Sequence, residues 1–118
     1  MHIVISDDYQ DSIRKLTCFE KTKNHTVKIY NDTVVGADAL AERFKDAEAI
    51  VLIRERTVID KALLDRLPKL KVISQTGKIA SHVDLNACKE KGIVVMDGRG
   101  SGAATAELNM LLILAALR

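Results

Sequence analysis

Five short runs rich in Val and Ile punctuate this chain, and the gaps between them are long enough to hold a helix each. The runs are Ile3 to Ser6, Thr26 to Tyr30, Ala49 to Ile53, Lys71 to Ser74 and Ile93 to Met96. A strand covered on both faces has no reason to alternate apolar with polar residues, so continuous β-branched runs of this kind mark strands of a parallel sheet. Parallel neighbours cannot be joined by a tight hairpin. They need a crossover of a dozen or more residues, usually a helix, and that crossover is right-handed. The pattern therefore predicts an α/β domain in which strand and helix alternate.

The gaps support this reading. Tyr9 to Phe19 offers Ile13, Leu16 and Phe19 at helical spacing, with Gln10-Asp11-Ser12 near its start and Asp7 and Asp8 available as caps. Gly36 to Phe44 sets Leu40 and Phe44 on one side. Asp60 to Leu67 carries Leu63, Leu64 and Leu67 and stops at Pro68, which lacks the N–H to continue a helix. Asp84 to Lys91 opens on an aspartate cap and closes at Gly92. The expected architecture over residues 1–102 is a doubly wound, flavodoxin-like, five-stranded parallel sheet.

Ala103 to Leu117 departs from the rest. Leu108, Met110, Leu111, Leu112, Ile113, Leu114 and Leu117 cover almost the whole circumference of a helix, and such a helix must be buried on most sides. It is too short for a membrane span, which needs about 20 residues. The simplest account assigns 103–118 to a helix between two domains, in a protein that continues beyond it. A helix docked on its own sheet is the alternative. Left uncovered, an apolar surface of this size favours a homodimer.

Charge excludes several partners. Charged residues make up 29% of the 118 residues, yet the formal net charge is +2, so neither nucleic acid nor an acidic membrane surface is indicated. Arg14, Lys15, Lys21 and Lys23 cluster, but Asp7, Asp8, Asp11 and Glu20 are interleaved with them, which describes a solvated helix face. Cys18 and Cys88 form no CxxC pair and have no histidine at metal-ligand spacing, so no metal site is expected. Two isolated thiols, behind an opening apolar run too short for a secretory signal, point to the cytoplasm.

In open parallel sheets ligands bind outside the carboxyl ends of the strands. The loops there read Arg54-Glu55-Arg56-Thr57, then Gln75-Thr76-Gly77-Lys78-Ile79-Ala80-Ser81-His82, then Asp97-Gly98-Arg99-Gly100-Ser101-Gly102. Guanidinium forks and free backbone N–H groups suit a small carboxylate, which makes Arg54 and Lys78 the best candidates, with exposed salt bridges as the plain alternative. Gly77 suits a positive φ or a close backbone approach, or else an ordinary turn. The stretch Gly98 to Gly102 precedes a helix but has no GxGxxG with an acidic residue about 20 positions on, so a hinge or domain connection fits it better than a phosphate turn. His82 has no nucleophile or carboxylate partner by spacing, and His2 and His25 read as surface residues. A stand-alone binding or signalling module, with Asp7-Asp8 as the acidic pair of a receiver, would need a phosphoacceptor aspartate where Arg54-Glu55-Arg56 stands.

The stretch Leu70-Lys71-Val72-Ile73-Ser74-Gln75-Thr76-Gly77, followed by His82-Val83-Asp84-Leu85 and Ala87-Cys88-Lys89-Glu90-Lys91-Gly92-Ile93-Val94-Val95, resembles the D-isomer-specific 2-hydroxyacid dehydrogenases. Ala104-Thr105-Ala106-Glu107-Leu108, running into the apolar helix, is similar to that family's interdomain helix. The opening Ile3-Val4-Ile5 with Asp7-Asp8-Tyr9-Gln10-Asp11 resembles members akin to phosphoglycerate dehydrogenase. The likeness extends over the whole chain. It implies the substrate-side ("catalytic") domain of a two-domain enzyme whose Rossmann domain holds NAD and whose substrate is a 2-hydroxy or 2-keto acid.

By the same resemblance, the backbone amides of Gly77, Lys78 and Ile79 meet the substrate carboxylate, Arg54 lines the cleft, and Lys78 and Thr105 lie on the cofactor side, Thr105 near the nicotinamide. The family's catalytic Arg, Glu and His and its GxGxxG turn follow the interdomain helix, so no catalytic residue is assigned here and the chain alone is expected to be inactive. Many members carry a GTGVDN loop where this chain has Gly77-Lys78-Ile79-Ala80-Ser81-His82. Ile79 replaces its second glycine and Ser81-His82 its Asp-Asn pair, which leaves open which acid is bound.

Overall fold

The computed structural model describes residues 1–117; Arg118, the last position of the predicted 103–118 segment, lies outside the described residues. Five strands form one sheet in the order β2-β1-β3-β4-β5: β1 (His2–Ile5), β2 (Thr26–Ile29), β3 (Ala49–Ile53), β4 (Val72–Thr76) and β5 (Val94–Asp97). All four pairings are parallel. The order reverses at β1, as a flavodoxin-like sheet requires.

Three helices, α1 (Ala37–Phe44), α2 (Lys61–Leu64) and α3 (Leu85–Glu90), follow β2, β3 and β4. These crossovers all step in the same direction along the sheet, so right-handedness places the helices together on one face. Beneath them Val4, Ile50, Ile73 and Val95 stand in register across β1, β3, β4 and β5. Phe44, Leu63, Leu64, Leu67, Ala87 and Cys88 close over that row, and the resulting cluster is the core. Asp60 caps α2 by accepting from Leu63 N–H at 2.8 Å, and Asp84 caps α3 through Ala87 N–H at 2.9 Å. Both aspartates therefore sit just outside the helices that the sequence pattern had begun on them.

The first crossover is not the helix that Tyr9 to Phe19 predicts. It consists of two 3₁₀ segments, Ile13–Lys15 and Thr17–Thr22, neither of which buries a residue. Two features explain the difference. Asp11 takes a left-handed backbone (φ 47°), and the Asp8 carboxylate binds the N–H groups of Ser12 and Ile13, each at 3.0 Å. Short polar side chains that capture nearby backbone donors compete with an α-helix, and no apolar stripe is buried to outweigh them. Asp8, not Asp7, is the aspartate that takes these backbone donors, and it caps no α-helix.

Because this crossover is the one that steps the other way, the second face of the sheet receives only the 3₁₀ segments. Val94 and Met96 on that face remain 56% and 50% exposed. The final helix, α4 (Ala103–Ala116), is exposed at every position, with Leu111 at 62%. It is not docked on its own sheet, which removes the alternative drawn from its sequence.

Candidate functional site

The carboxyl ends of β1, β3 and β4 meet at the point where the strand order reverses. The loop after β3 crosses this point, and it is held from both flanks. Arg54 sits in the left-handed region (φ 58°), an unfavourable place for a residue with a Cβ, and its carbonyl accepts a hydrogen bond from Gln75 Nε2 at 3.0 Å. On the other flank stands Asp7, only 1% exposed. Its Oδ2 accepts from Thr57 Oγ1 at 2.5 Å and from Ser6 Oγ at 2.9 Å, while its carbonyl accepts from Arg56 Nη1 at 2.7 Å. The Arg56 guanidinium lies over the Tyr9 ring, 4.2 Å from its centre. Asp7 thus anchors the loop from inside the protein, rather than capping a helix or forming the acidic pair of a receiver.

The loop after β4 supplies the opposite wall. Gly77 has φ 102°, the conformation that glycine adopts without penalty, so the positive-φ reading of this residue holds. Its carbonyl accepts from Gly98 N–H at 2.8 Å. A side chain at position 98 would bring a Cβ within 3.0 Å of the Gly77 nitrogen, so the first glycine of the Gly98 to Gly102 stretch is there for backbone contact. Among the described residues, no acceptor pairs with the backbone N–H of Gly77, Lys78 or Ile79. These are donors of the kind a bound carboxylate would use.

Arg54, Glu55, Gln75, Thr76, Gly77 and Lys78 line one open cleft of about 440 Å³. Of the five predicted site residues, Arg54, Gly77 and Lys78 come together there. Ile79 instead turns its side chain towards the core, leaving its backbone to the loop. Thr105 lies exposed on α4 and is not among the cleft-lining residues. Lys78 is paired with Asp97 at 3.2 Å, an exposed contact of little energetic weight that an anion can readily replace.

His82 is buried and faces Gln75, with Nε2 at 3.2 Å from Gln75 Oε1. Ile59 N–H donates to the His82 carbonyl at 2.7 Å and Asp84 N–H to the Ile59 carbonyl at 2.9 Å, which staples the loop after β4 to the segment leading into α2. Sequence spacing missed Asp7, Thr57 and Gln75. The one local signal was Gln75, a polar residue inside β4; Asp7 and Thr57 lie in the loops beyond β1 and β3 and carried none.

The remaining candidates resolve simply. His2 and His25 are exposed. Arg14 pairs with Asp11 and Lys23 with Glu20 at the surface. Cys18 is exposed and Cys88 buried, both free, and burial pushes the Cys88 thiol pKa up. Among the described residues no His, Cys, Asp or Glu cluster could hold a metal ion. A larger concavity of about 600 Å³ lies between the β1–β2 edge and α1, but its Arg43 is bound to Asp32 and stacked over Tyr30.

With this geometry in view, residues 3–110 match the family model described as D-isomer specific 2-hydroxyacid dehydrogenase, catalytic domain. The chain belongs to that family. A solved structure of a phosphoglycerate oxidoreductase from Vibrio cholerae is 50% identical and superposes with a TM-score of 0.86 over 100% of this chain, which is 38% of that one. A D-lactate dehydrogenase from Aquifex aeolicus, solved in complex with NAD and lactic acid, is 28% identical with a TM-score of 0.73, covering 95% of this chain and 32% of its own. Among curated proteins, the D-3-phosphoglycerate dehydrogenase of Methanocaldococcus jannaschii is 38% identical over 87 residues, 73% of this chain and 16% of that protein. This dehydrogenase-family chain therefore spans only a minor part of the relatives it matches.

Proposed function

We propose that this chain is the substrate-side part of an NAD-dependent D-2-hydroxyacid dehydrogenase, with residues 1–102 as the substrate domain and 103–118 as the start of the interdomain helix. The observation that carries the reading is the convergence of Arg54 with the Gly77–Lys78 backbone on one cleft at the carboxyl ends of β3 and β4. There Arg54 and the N–H groups of Gly77, Lys78 and Ile79 hold the carboxylate of a small 2-hydroxy or 2-keto acid. Lys78 leaves Asp97 to meet the ligand or the cofactor. Thr105 faces the nicotinamide once a cofactor domain closes over α4.

These residues do not build a dinucleotide site by themselves. Gly102 starts α4 without a side-chain cap bond, Ser101 Oγ accepts from Ala103 N–H at 3.2 Å, and the glycine-rich stretch before it shows no ribose-binding carboxylate. No hydride-transfer step is therefore routed through this chain, and it is inactive alone. Without its covering domain, the apolar α4 pairs with a second copy. No helix among the described residues is long and apolar enough to cross a membrane. That fact, two free thiols and the small net charge fit a cytoplasmic protein without nucleic-acid partners.

Calorimetry with NADH on the purified chain, beside a turnover assay over a panel of 2-keto acids, tests the reading. Neither tight cofactor binding nor turnover is expected, while millimolar pyruvate is expected to shift the amide resonances of Gly77 to Ile79. Micromolar NADH binding, or measurable turnover, would overturn the assignment of these loops.

A further inference from the structure

Two buried polar side chains behind the cleft are not accounted for by carboxylate binding itself. Gln75 and His82 are 3% and 7% exposed, and they face each other rather than solvent. Their hydrogen bonds fix one another's orientation. Gln75 Nε2 lies 3.0 Å from the Arg54 carbonyl and 3.4 Å from the Thr76 carbonyl, and both partners can only accept. The amide nitrogen must therefore point at them, which leaves Oε1 as the atom facing His82. An amide oxygen only accepts, so the His82 nitrogen at 3.2 Å, Nε2, must carry a proton. His82 Nδ1 is buried without a partner, so no competing bond turns the ring the other way.

The chain of direction thus runs from His82 through Gln75 to the carbonyl of Arg54. That carbonyl belongs to the strained residue of the site, the one non-glycine lining residue of the cleft held at positive φ. A left-handed residue with a Cβ persists only where its surroundings over-determine it. The Asp7 anchor grips Arg56 and Thr57, further along the loop, and leaves the Arg54 peptide itself to Gln75.

We propose that Gln75, oriented by His82, is the positioning residue that locks the Arg54 backbone in its left-handed conformation and so fixes where the guanidinium enters the cleft. The consequence for substrate handling rests on the reading of this cleft as the carboxylate site; the conformational lock does not.

Nuclear magnetic resonance on the labelled 118-residue chain tests both parts. A residue at positive φ brings its own amide and α protons unusually close, giving a strong intraresidue cross-peak. Wild-type Arg54, Asp7 and Asp11 are expected to show it. In Gln75→Met, and in Gln75→Glu, which swaps the donor for an acceptor, Arg54 is expected to lose the strong cross-peak while Asp7 keeps it. A variant in which Arg54 retains it, with Asp7 intact, overturns the lock. Should neither variant fold, the wild-type long-range imidazole spectrum decides: a proton on His82 Nε2 supports the proposal. A proton on Nδ1 alone means a reversed Gln75 amide and defeats it. Pyruvate titration of the same samples separates the two readings. Loss of the Arg54 cross-peak together with weakened pyruvate shifts supports both. Loss of the cross-peak in a chain whose wild type ignores pyruvate supports the lock and refutes the carboxylate site.

Discussion

The helices α2 and α4 are both leucine-bearing segments that follow a strand and a loop, yet they end in opposite situations. In α2, four residues long, Leu63 and Leu64 are each 1% exposed against the sheet. In α4, fourteen residues long, Leu111 and Leu112 are 62% and 58% exposed. Length and leucine content therefore do not decide burial. The short helix has a stripe that matches an in-register apolar row beneath it. The long helix is apolar all round, and a single sheet face can cover only one side of such a helix. A helix apolar all round needs cover on more than one side, which the sheet does not give it.

The sharpest way to break this comparison is the same truncation in both helices. Leu63→Ala is expected to cost about 2–5 kcal/mol in urea unfolding, the usual range for a buried leucine.

Next in size, Thr57→Val removes the 2.5 Å donor to Asp7 Oδ2, leaving Ser6 Oγ alone on a buried carboxylate whose Oδ1 already lacks a partner. A loss of about 1–3 kcal/mol is expected. Unchanged stability would mean that water replaces the hydroxyl and that the Asp7 anchor is weaker than its burial suggests. Asp60→Ala, removing the cap of α2, is expected to lower stability by about 1 kcal/mol. An effect near zero would show that packing of Leu63 and Leu64 alone holds the helix.

A smaller effect is expected on the acid side. The ammonium of Lys71, hydrogen-bonded to Glu48, and then the His2 backbone N–H hold the Glu48 carboxyl at about 2, below its ordinary 4.5. A folded-state pKa below the unfolded one stabilises the protein above about 4.5, and that contribution is lost as pH falls towards about 2. Glu48→Gln is therefore expected to flatten the fall of the urea midpoint across this window. An unchanged slope would move the acid sensitivity of the body to other carboxylates.

The smallest effect belongs to Leu112→Ala in α4, expected within about 0.5 kcal/mol of wild type in dilute monomer. A cost approaching that of Leu63→Ala would show that α4 is covered in solution. Sedimentation velocity over a concentration series then reveals whether a second copy does the covering; Leu111→Glu is expected to abolish any concentration dependence.

Much of this molecule is legible in the residues alone. β3 runs from Ala49 to Ile53, as the sequence predicts, because a buried parallel strand writes itself as a continuous Ala-Ile-Val-Leu-Ile run. The caps at Asp60 and Asp84 follow from local chemistry, but α2 ends at Leu64, short of the stop that Pro68 predicts, because Arg66 and Leu67 donate three residues back in tight turns rather than continuing the α-helix. The first crossover was misread because Ile13, Leu16 and Phe19 have helical spacing but no surface to bury them, and Asp8 offers the backbone a better local partner. At the cleft, Arg54, Gly77 and Lys78 were visible as residue types in loops after strands. Asp7, Thr57 and Gln75 were not, since their importance lies in contacts between segments roughly 20 to 50 positions apart.

By itself, then, the sequence determined the parallel α/β body, the capped starts of α2 and α3, the family, and the all-round apolar character of α4, since each follows from local periodicity, local capping or residue-by-residue likeness. Only the tertiary structure decided which polar residues hold the cleft together, that Arg54 is kept left-handed, and that α4 has no partner on its own sheet. Those depend on which strands become neighbours and in what register, and register brings distant residues within hydrogen-bonding reach without leaving a pattern in the chain.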